Sequence, residues 1–421
     1  MAQPLAGDAP IFIVGLPRSG TTLLASMLAI HPAIDCGPET FFFARLPSDP
    51  SHLLEASGWP ARALDYVCSL RLRDAPVHEL YGRTRQDVRA VLSGRSPSLA
   101  AMLESLTAAR AEVRGKRRWA EKTPRHLARL ALIRRTYPEA AVLRVLRDPR
   151  DAAMSMTRVP FASDSLLANL YLCARAEAAA RPALESDPRL LTVRYEDLVS
   201  RPEREILRVV RFIGEAFDPR MLDPGRAPAD LAAAHEWWKG KESQPLDRSR
   251  VGAWRREMPS DDQRIAAVVC AEMLRVHGYE GAVSPRGSVN IAPDVNRFVV
   301  DQEDVARALA LRGFMVQPLG RERDRKDGRA TDLVFWPLSG SDPWGLGRTL
   351  RVRARALARL VLILGRRRLA GRAAILVRPP LENAAERGIA TRVAELLLRV
   401  LARPTTSDEW LATLEVSRPL T

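Results

Sequence analysis

A loop near the start of the chain holds the first residues whose types and spacing could do chemistry. Residues 15–22 read Gly-Leu-Pro-Arg-Ser-Gly-Thr-Thr. The backbone N–H groups of a loop with this glycine spacing bind phosphate when the loop opens a helix. A nucleoside triphosphatase has a lysine after the second glycine, whereas this chain has Thr21 there and carries its positive charge on Arg18. The loop predicts a phosphate site and disfavours ATP hydrolysis; a plain strand-to-helix turn is the alternative.

A second group of residues has side-chain types that could bind another phosphate. Arg147 follows the apolar run 141–146, and Ser155 lies eight residues further along the chain. An arginine fork combined with donors at a helix N-terminus suits a dianionic phosphate. Asp148 could instead be a metal ligand, but Arg144 and Arg147 flank it with positive charge. This flanking positive charge disfavours a metal site at Asp148.

Both motifs resemble those of the sulfotransferases that use 3′-phosphoadenylyl sulfate (PAPS) as their donor. In that family the loop holds the 5′-phosphosulfate, and the arginine and the serine hold the 3′-phosphate. The segment 193–198 is similar to the family's strand-end tyrosine segment, and the resemblance extends over roughly residues 10–280. It implies PAPS as the co-substrate, bound by Pro17, Arg18, Ser19, Gly20, Thr21, Thr22, Arg147, Ser155 and Tyr195.

The resemblance also implies which residues act on the transferred group. Tyrosylprotein sulfotransferases and their bacterial relatives, whose motif pattern is the most similar, place a catalytic glutamate 21 residues after the loop arginine, which here is Glu39. Lys122 matches their lysine directed at the transferred group, and the chain has only five lysines among its 65 basic residues. The implied catalytic residues are Glu39 as the base, Lys122 and Arg18, with in-line sulfuryl transfer to a hydroxyl.

Other roles for these residues stay open at this stage. Glu39 could be a helix-capping or solvated carboxylate, and Lys122 an ordinary surface lysine. His126 is a second candidate for the base, because related cytosolic sulfotransferases use a histidine. No two histidines have the spacing of metal ligands and no CxxC is present, so no metal is expected.

Residues 244–254 resemble the late loop that folds over the donor in this family. Trp254 lies nine residues after a proline, as in the family pattern. The tyrosylprotein members carry a lysine just before that proline, whereas this chain has Gln244. Arg248 or Arg250 is therefore the expected source of positive charge in the loop.

The elements that must position these residues alternate between strands and helices. Apolar and β-branched runs at 10–15, 141–146 and 189–194 predict strands, and each leads into one of the candidate segments. Region 50–135, which contains Lys122, is predicted to be mainly helical. Alternating strands and helices predict an α/β fold, with a P-loop-type parallel sheet flanked by helices.

A change in composition divides the chain into two predicted domains. Turn-forming residues dominate 281–288, which separates a sulfotransferase domain, 1–281, from a smaller C-terminal α/β extension of unknown role, 282–421. The extension is predicted to hold strands at 298–300, 314–316, 333–336 and 373–377, and helices near 305–311, 346–364 and 384–402.

Two other functions are considered beside a sulfotransferase: a P-loop kinase, and a basic protein that binds a membrane or nucleic acid. The second is suggested by the net charge of +15. Sixty of the basic residues are arginines, which reflects codon usage as readily as a binding surface. The stretch 346–368 predicts a basic amphipathic helix. Its arginine face could contact a membrane surface, or it could simply be exposed to solvent. A P-loop kinase would explain only the glycines, and a basic membrane- or nucleic-acid-binding protein only the arginines. A sulfotransferase explains both phosphate motifs, and no nucleic-acid partner is expected.

The expected location is cytoplasmic, because no leader and no apolar run of spanning length is seen. Tyrosylprotein sulfotransferases are membrane-anchored, whereas no apolar run of spanning length is seen in this sequence. Tyrosine sulfation is therefore not the favoured activity. The expected acceptor is a hydroxyl on a glycan, a lipid, a small molecule or a peptide.

Overall fold

The chain forms two compact units, Met1–Met258 and Pro259–Thr421. The computed structural model describes residues 8–231, 246–283, 287–291, 307, 310, 311, 314–318, 331–335, 374–378 and 403–406. The domain boundary predicted between residues 281 and 282 stays a prediction.

The main sheet of the first unit is parallel throughout its described strands. In chain order the strands are β1 (Ile11–Gly15), β2 (Ile34–Cys36), β3 (Arg71–Leu72), β4 (Ala75–Pro76), β5 (Arg118–Lys122), β6 (Ala141–Leu146) and β7 (Leu190–Arg194). The sheet order is β2-β5-β1-β6-β7, and β3 and β4 form a short antiparallel pair outside it. β1 and β6 are buried along their whole length, as expected for strands covered on both faces. The predicted α/β fold class is confirmed.

Helices connect these strands. Within the described part of the first unit they are α1 (Thr21–Ala29), α2 (Phe42–Arg45), α3 (Ala61–Ser69), α4 (Val77–Leu80), α5 (Arg85–Ser93), α6 (Leu99–Glu104), α7 (Thr107–Val113), α8 (Leu130–Thr136), α9 (Pro149–Met156), α10 (Leu166–Ser186), α11 (Tyr195–Ser200), α12 (Pro202–Ile213) and α13 (Trp254–Glu257). Short 3₁₀ turns include Pro124–Arg129 and Arg248–Arg250. Among the described helices, none combines the length and the apolar character needed to span a bilayer.

Helix α1 lies in the core of the first unit. All nine of its residues are buried, and Leu24, Met27 and Leu28 belong to the same apolar cluster as Ile11 and Ile13 of β1. Because strand and helix are both embedded in the core, the loop that joins them has two fixed ends.

Region 50–135 is mainly helical, as predicted, but strand β5, which contains Lys122, interrupts it. Its sequence, Arg-Trp-Ala-Glu-Lys, has no apolar alternation, yet all five residues are buried. The charged side chains find partners inside the fold: Arg118 donates to the carbonyls of Ala9 and Ile213 at 2.5 and 2.6 Å and pairs with Glu215 at 3.1 Å. Pairing of this kind allows a charged segment to form a central strand.

The second unit also contains a parallel sheet. Its described elements are α14 (Ser260–Val269), α15 (Ala271–Val276), β8 (Gly287–Ile291), β9 (Phe314–Pro318), β10 (Thr331–Phe335), β11 (Ala374–Arg378) and β12 (Arg403–Thr406), with sheet order β12-β11-β10-β8-β9. The strands predicted at 314–316, 333–336 and 373–377 overlap β9, β10 and β11. The turn predicted at 281–288 is wrong at its end, since β8 begins at Gly287. The predictions at 298–300, 346–368 and 384–402 lie outside the described residues.

Candidate active site

The candidate residues gather at one edge of the first unit's sheet. β1, β2, β5, β6 and β7 are parallel, so their carboxyl ends share this edge. In the strand order, the chain moves from β1 in one direction to reach β2, whereas it moves from β6 in the opposite direction to reach β7. At such a reversal, which here falls between the adjacent strands β1 and β6, α/β sheets have the crevice in which they bind ligands.

The loop between β1 and α1, residues 16–20, is here called the phosphate loop. Arg18 and Gly20 both have left-handed backbone conformations, with φ of 62° and 98°. A Cβ atom on Gly20 would lie 2.4 Å from the ring of Tyr195, so only glycine fits there. The carbonyl of Arg18 accepts a hydrogen bond from Arg147 Nη1 at 2.9 Å. Tyr195 and Arg147 therefore hold an otherwise unfavourable loop conformation in place.

Arg147 and Ser155 lie beside the phosphate loop. Arg18 Nε donates to Ser155 Oγ at 3.2 Å, and accepting this bond leaves the serine hydroxyl able to donate to another group. The Arg147 guanidinium lies over the Tyr195 ring, 4.3 Å from its centroid, and its Nη2 donates to the carbonyl of Arg250 at 3.0 Å. The structure thus brings together residues from four separate parts of the chain.

Buried polar atoms near this crevice have no hydrogen-bond partner among the described residues. They are Ser19 Oγ, Arg147 Nε and Trp254 Nε1. Ser19 Oγ faces Gly15, whereas Arg147 Nε belongs to a guanidinium whose two other nitrogens bind backbone carbonyls. An unpartnered buried N–H donor is costly. The arrangement therefore fits an anionic ligand that accepts a bond from Arg147.

Asp151 fixes the backbone of the late loop to α9. Its carboxylate accepts the N–H groups of Gly252 and Trp254, each at 2.8 Å. Burial raises the pKa of Asp151 above its ordinary value, although Arg147 and the two N–H bonds act in the opposite direction. The side chain is buried, and so it is a structural anchor for this segment.

Other groups of the late loop bind protein partners. Arg248 Nη2 donates to the carbonyl of Ser200 at 3.0 Å, and Arg250 Nε lies 3.2 Å from Asp247. The guanidinium of Arg150 packs 3.6 Å from the centroid of the Trp254 ring. Residue 244 lies outside the described residues, so the predicted role of Arg248 or Arg250 as the loop's positive charge stays a prediction.

Glu39 and Lys122 form a buried ion pair at the same edge of the sheet. Lys122 Nζ lies 2.8 Å from Glu39 Oε1. Lys122 ends β5 and its side chain is 0% exposed, whereas the Glu39 side chain, which follows β2, is 12% exposed. Lys122 is therefore not a surface lysine and Glu39 is not a solvated carboxylate. The pair places a proton acceptor directly beside a positive charge.

Glu121, the residue before Lys122, was not among the candidates from the sequence. It is fully buried, and its Oε1 accepts from the hydroxyls of Thr40 and Thr123 at 2.6 Å each and from the Thr40 N–H at 3.3 Å. Its Oε2 lies 2.8 Å from His126 Nδ1. Burial by itself raises the pKa of Glu121, but its partners His126, Thr123 and Thr40 lower it, and the net direction is downward. The four described hydrogen bonds to Glu121 all come from donors, as an ionised carboxylate requires.

His126 supports Glu121 from the far side. Its Nε2 accepts the N–H of Phe43 at 3.1 Å, so the proton of the ring is on Nδ1 and is donated to Glu121. The side chain is 0% exposed. Both ring nitrogens are used inside the protein, and neither is available to an acceptor hydroxyl as the alternative assignment requires.

The described residues contain no group of three or more His, Cys, Asp or Glu able to hold a metal ion. Cys36 and Cys173 are buried, and burial raises the pKa of each thiol to about 12. Thiols with such pKa values do not readily form thiolate ligands. The expectation that no metal is required stays a prediction.

Comparison with known proteins gives one family. A model described as "Sulfotransferase family" matches residues 10–219, and a model described as "Sulfotransferase domain" matches residues 175–277. Both matched ranges lie within the segment of roughly residues 10–280 over which the sequence motifs resemble sulfotransferases.

Individual relatives and a solved structure are similar over about the same share of this chain. Nodulation protein NoeE of Sinorhizobium fredii is 30% identical over 299 residues, which cover 64% of this chain and 65% of NoeE. Protein-tyrosine sulfotransferase 1 of Danio rerio is 28% identical over 285 residues, covering 65% of this chain and 73% of that protein. The sulfotransferase domain of the Synechococcus PCC 7002 olefin synthase, at 21% identity and a TM-score of 0.43, covers 62% of this chain and 93% of that domain. On the two family matches, which together extend over residues 10–277, the chain belongs to the sulfotransferase family.

Proposed function

We propose that this protein transfers a sulfuryl group from PAPS to a hydroxyl of an acceptor molecule. The observation that carries the proposal is the Glu39–Lys122 ion pair at 2.8 Å, located at the same sheet edge as the phosphate loop and Arg147. Sulfuryl transfer to a hydroxyl requires a base for the acceptor and positive charge near the departing phosphate. Both groups are present at this edge.

The residues proposed to hold the donor come from the phosphate loop, the start of α1, the segment 147–155 and the start of α11. They are Pro17, Arg18, Ser19, Gly20, Thr21, Thr22, Arg147, Ser155 and Tyr195. The phosphate-loop amides and Arg18 suit the 5′-phosphosulfate, because N–H groups at a helix start favour anions. Arg147, with its unpartnered Nε, and the Ser155 hydroxyl suit the 3′-phosphate.

The proposed catalytic residues have separate tasks. Bound PAPS supplies a sulfuryl group whose bond to the phosphate oxygen breaks as its bond to the acceptor oxygen forms. Glu39 takes the proton of the acceptor hydroxyl. Lys122 and Arg18 provide positive charge where negative charge grows on the departing phosphate. Lys122 also contacts Glu39 directly, and this contact fixes the position of the base.

The other functions considered from the sequence have less support. Thr21 occupies the position of the lysine of a P-loop kinase, and Lys122 is supplied by β5 instead of by the loop. The basic membrane- or nucleic-acid-binding alternative depends on residues 346–368, which lie outside the described part of the chain. Peripheral membrane contact, the absence of a nucleic-acid partner and a cytoplasmic location stay predictions. The choice of acceptor among glycan, lipid, small molecule and peptide is likewise left to experiment.

A transfer assay with sulfur-labelled PAPS tests the proposal. The full-length protein is incubated with a panel of hydroxyl acceptors that includes sugars, a lipid alcohol, phenols and a tyrosine peptide. We expect label in at least one acceptor class and no phosphoryl transfer from ATP with Mg²⁺. Phosphoryl transfer from ATP, together with no binding of adenosine 3′,5′-bisphosphate, would contradict the proposal and favour a kinase.

A further inference from the structure

The candidate site contains a buried carboxylate that the proposed reaction does not use. Glu121 is 0% exposed and lies next to Lys122 in β5. Lys122 binds Glu39, while Glu121 binds both the hydroxyl and the N–H of Thr40. Two neighbouring residues of β5 therefore hold two neighbouring residues of the segment that follows β2.

The backbone that follows Glu39 is held at four consecutive N–H groups. The acceptors for residues 40, 41, 42 and 43 are, in order, Glu121 Oε1, Thr123 Oγ1, Thr40 Oγ1 and His126 Nε2, at 3.3, 3.2, 3.2 and 3.1 Å. Thr123, Thr40 and His126 each donate a hydrogen bond to Glu121. Every one of the four acceptors is therefore Glu121 or a group that Glu121 orients.

We propose that Glu121 is a positioning residue that fixes the backbone of residues 40–43 and thereby holds Glu39 against Lys122. The inference rests on the proposed function, because it takes Glu39 as the base. A catalytic group must be held close to its working geometry, and displacement by about 1 Å can cost about 10²-fold in rate. Segment 40–43 is connected directly to Glu39, so a shift of this segment moves the base.

The network requires a carboxylate at position 121. His126 Nε2 accepts from Phe43, so the neutral ring must present Nδ1–H toward Glu121. On the other side, the Thr40 N–H also points at the carboxylate. An amide at position 121 would turn its NH₂ group toward either His126 Nδ1–H or the Thr40 N–H, and each orientation places two donors against each other.

The Glu121→Gln variant of the full-length protein tests this role. We expect kcat for sulfuryl transfer to fall about 10²-fold, while the Kd for adenosine 3′,5′-bisphosphate stays close to the wild-type value. Glu205→Gln is the matched control, because Glu205 is also a buried carboxylate but belongs to α12 and binds Arg208. We expect the control to change kcat much less than Glu121→Gln does.

A second pair of variants covers the case in which Glu121→Gln does not fold. Thr123→Val removes the hydroxyl that donates to Glu121 and accepts from Phe41, whereas Thr123→Ser keeps it. We expect Thr123→Val to lower kcat, whereas Thr123→Ser should retain most of the wild-type kcat. Equal turnover in the two variants would overturn the positioning role.

A spectroscopic measurement separates this inference from the proposed function. The protein contains six histidines, and heteronuclear NMR of histidine-labelled protein, assigned with the His126→Gln variant, reports the tautomer of His126. We expect the neutral Nδ1–H form, whatever the turnover. A wild-type protein that fails to use PAPS contradicts the proposed function alone. A charged or Nε2–H ring, or wild-type kcat in Glu121→Gln, overturns the role of Glu121.

Discussion

The two halves of the candidate site are built in different ways. The donor half consists of the phosphate loop, Arg147, Ser155 and Tyr195, and it leaves Arg147 Nε without a partner among the described residues. The base half consists of Glu39, Thr40, Glu121, Lys122 and His126, whose side chains bond to one another within the fold. The first half therefore has a buried donor that an anionic ligand would satisfy, whereas the side chains of the second half bond to one another. We expect substitutions in the two halves to affect binding and turnover separately.

The sharpest test of this separation is Glu39→Gln. The substitution keeps the shape of the side chain and removes the base, so we expect turnover to fall by about 10²–10⁴-fold. Calorimetry should show nearly unchanged binding of adenosine 3′,5′-bisphosphate, because Glu39 belongs to the base half. Near-normal turnover would show that another group takes the acceptor proton.

Lys122→Arg keeps the charge but changes its shape. A planar guanidinium cannot occupy the position of a compact ammonium that is 0% exposed and 2.8 Å from Glu39. We expect about a 10²-fold loss of turnover from misplacement of the charge. Single-turnover rates at saturating PAPS measure the loss, and Lys116→Arg, a partly buried lysine bonded to the His31 carbonyl, is the control. Wild-type rates in Lys122→Arg would remove Lys122 from the transfer step.

Arg147→Ala tests the donor half. Hydrogen bonds to a charged phosphate contribute about 1.5–3 kcal/mol, so the variant should bind adenosine 3′,5′-bisphosphate about 10–150-fold more weakly than the wild type. Binding of AMP, which lacks the 3′-phosphate, should change much less. Calorimetry with both nucleotides gives the comparison. An equal loss for the two nucleotides would mean that Arg147 acts only by holding the phosphate loop.

The sequence indicates the donor half in two ways: the phosphate loop by its local pattern, and Arg147, Ser155 and Tyr195 by the resemblance. β1, β6 and β7 are apolar runs, and Arg18 and Ser155 lie at fixed positions relative to the ends of β1 and β6. The contact between Arg18 and Ser155 links residues 137 positions apart. This contact is expected once β1 and β6 are neighbours in a parallel sheet, because the segments that follow the two strands then lie side by side.

The base half was predictable only in part. Glu39 and Lys122 follow from the resemblance, but the charged sequence of β5 has no apolar alternation that would indicate a strand within region 50–135. Glu121 and Thr40 are 81 residues apart in sequence, and nothing local indicates that they will meet. Burial of a charged side chain depends on such distant partners, and it is therefore the feature that the sequence indicates least.

Asp151→Asn is expected to have the smallest effect on turnover. Asp151 accepts the N–H groups of Gly252 and Trp254, and an asparagine can accept only one of them while its NH₂ group faces the other. The buried N–H left without an acceptor should lower the free energy of unfolding by about 1–3 kcal/mol, measured by urea unfolding.

Because Arg147 also donates to this loop through the carbonyl of Arg250, donor binding should weaken modestly. The rate at saturating PAPS should stay near the wild-type value, since no atom of the base half contacts Asp151 among the described hydrogen bonds. A loss of rate as large as that of Glu39→Gln would show that the late loop and the base act as one unit and that the two halves are not separable.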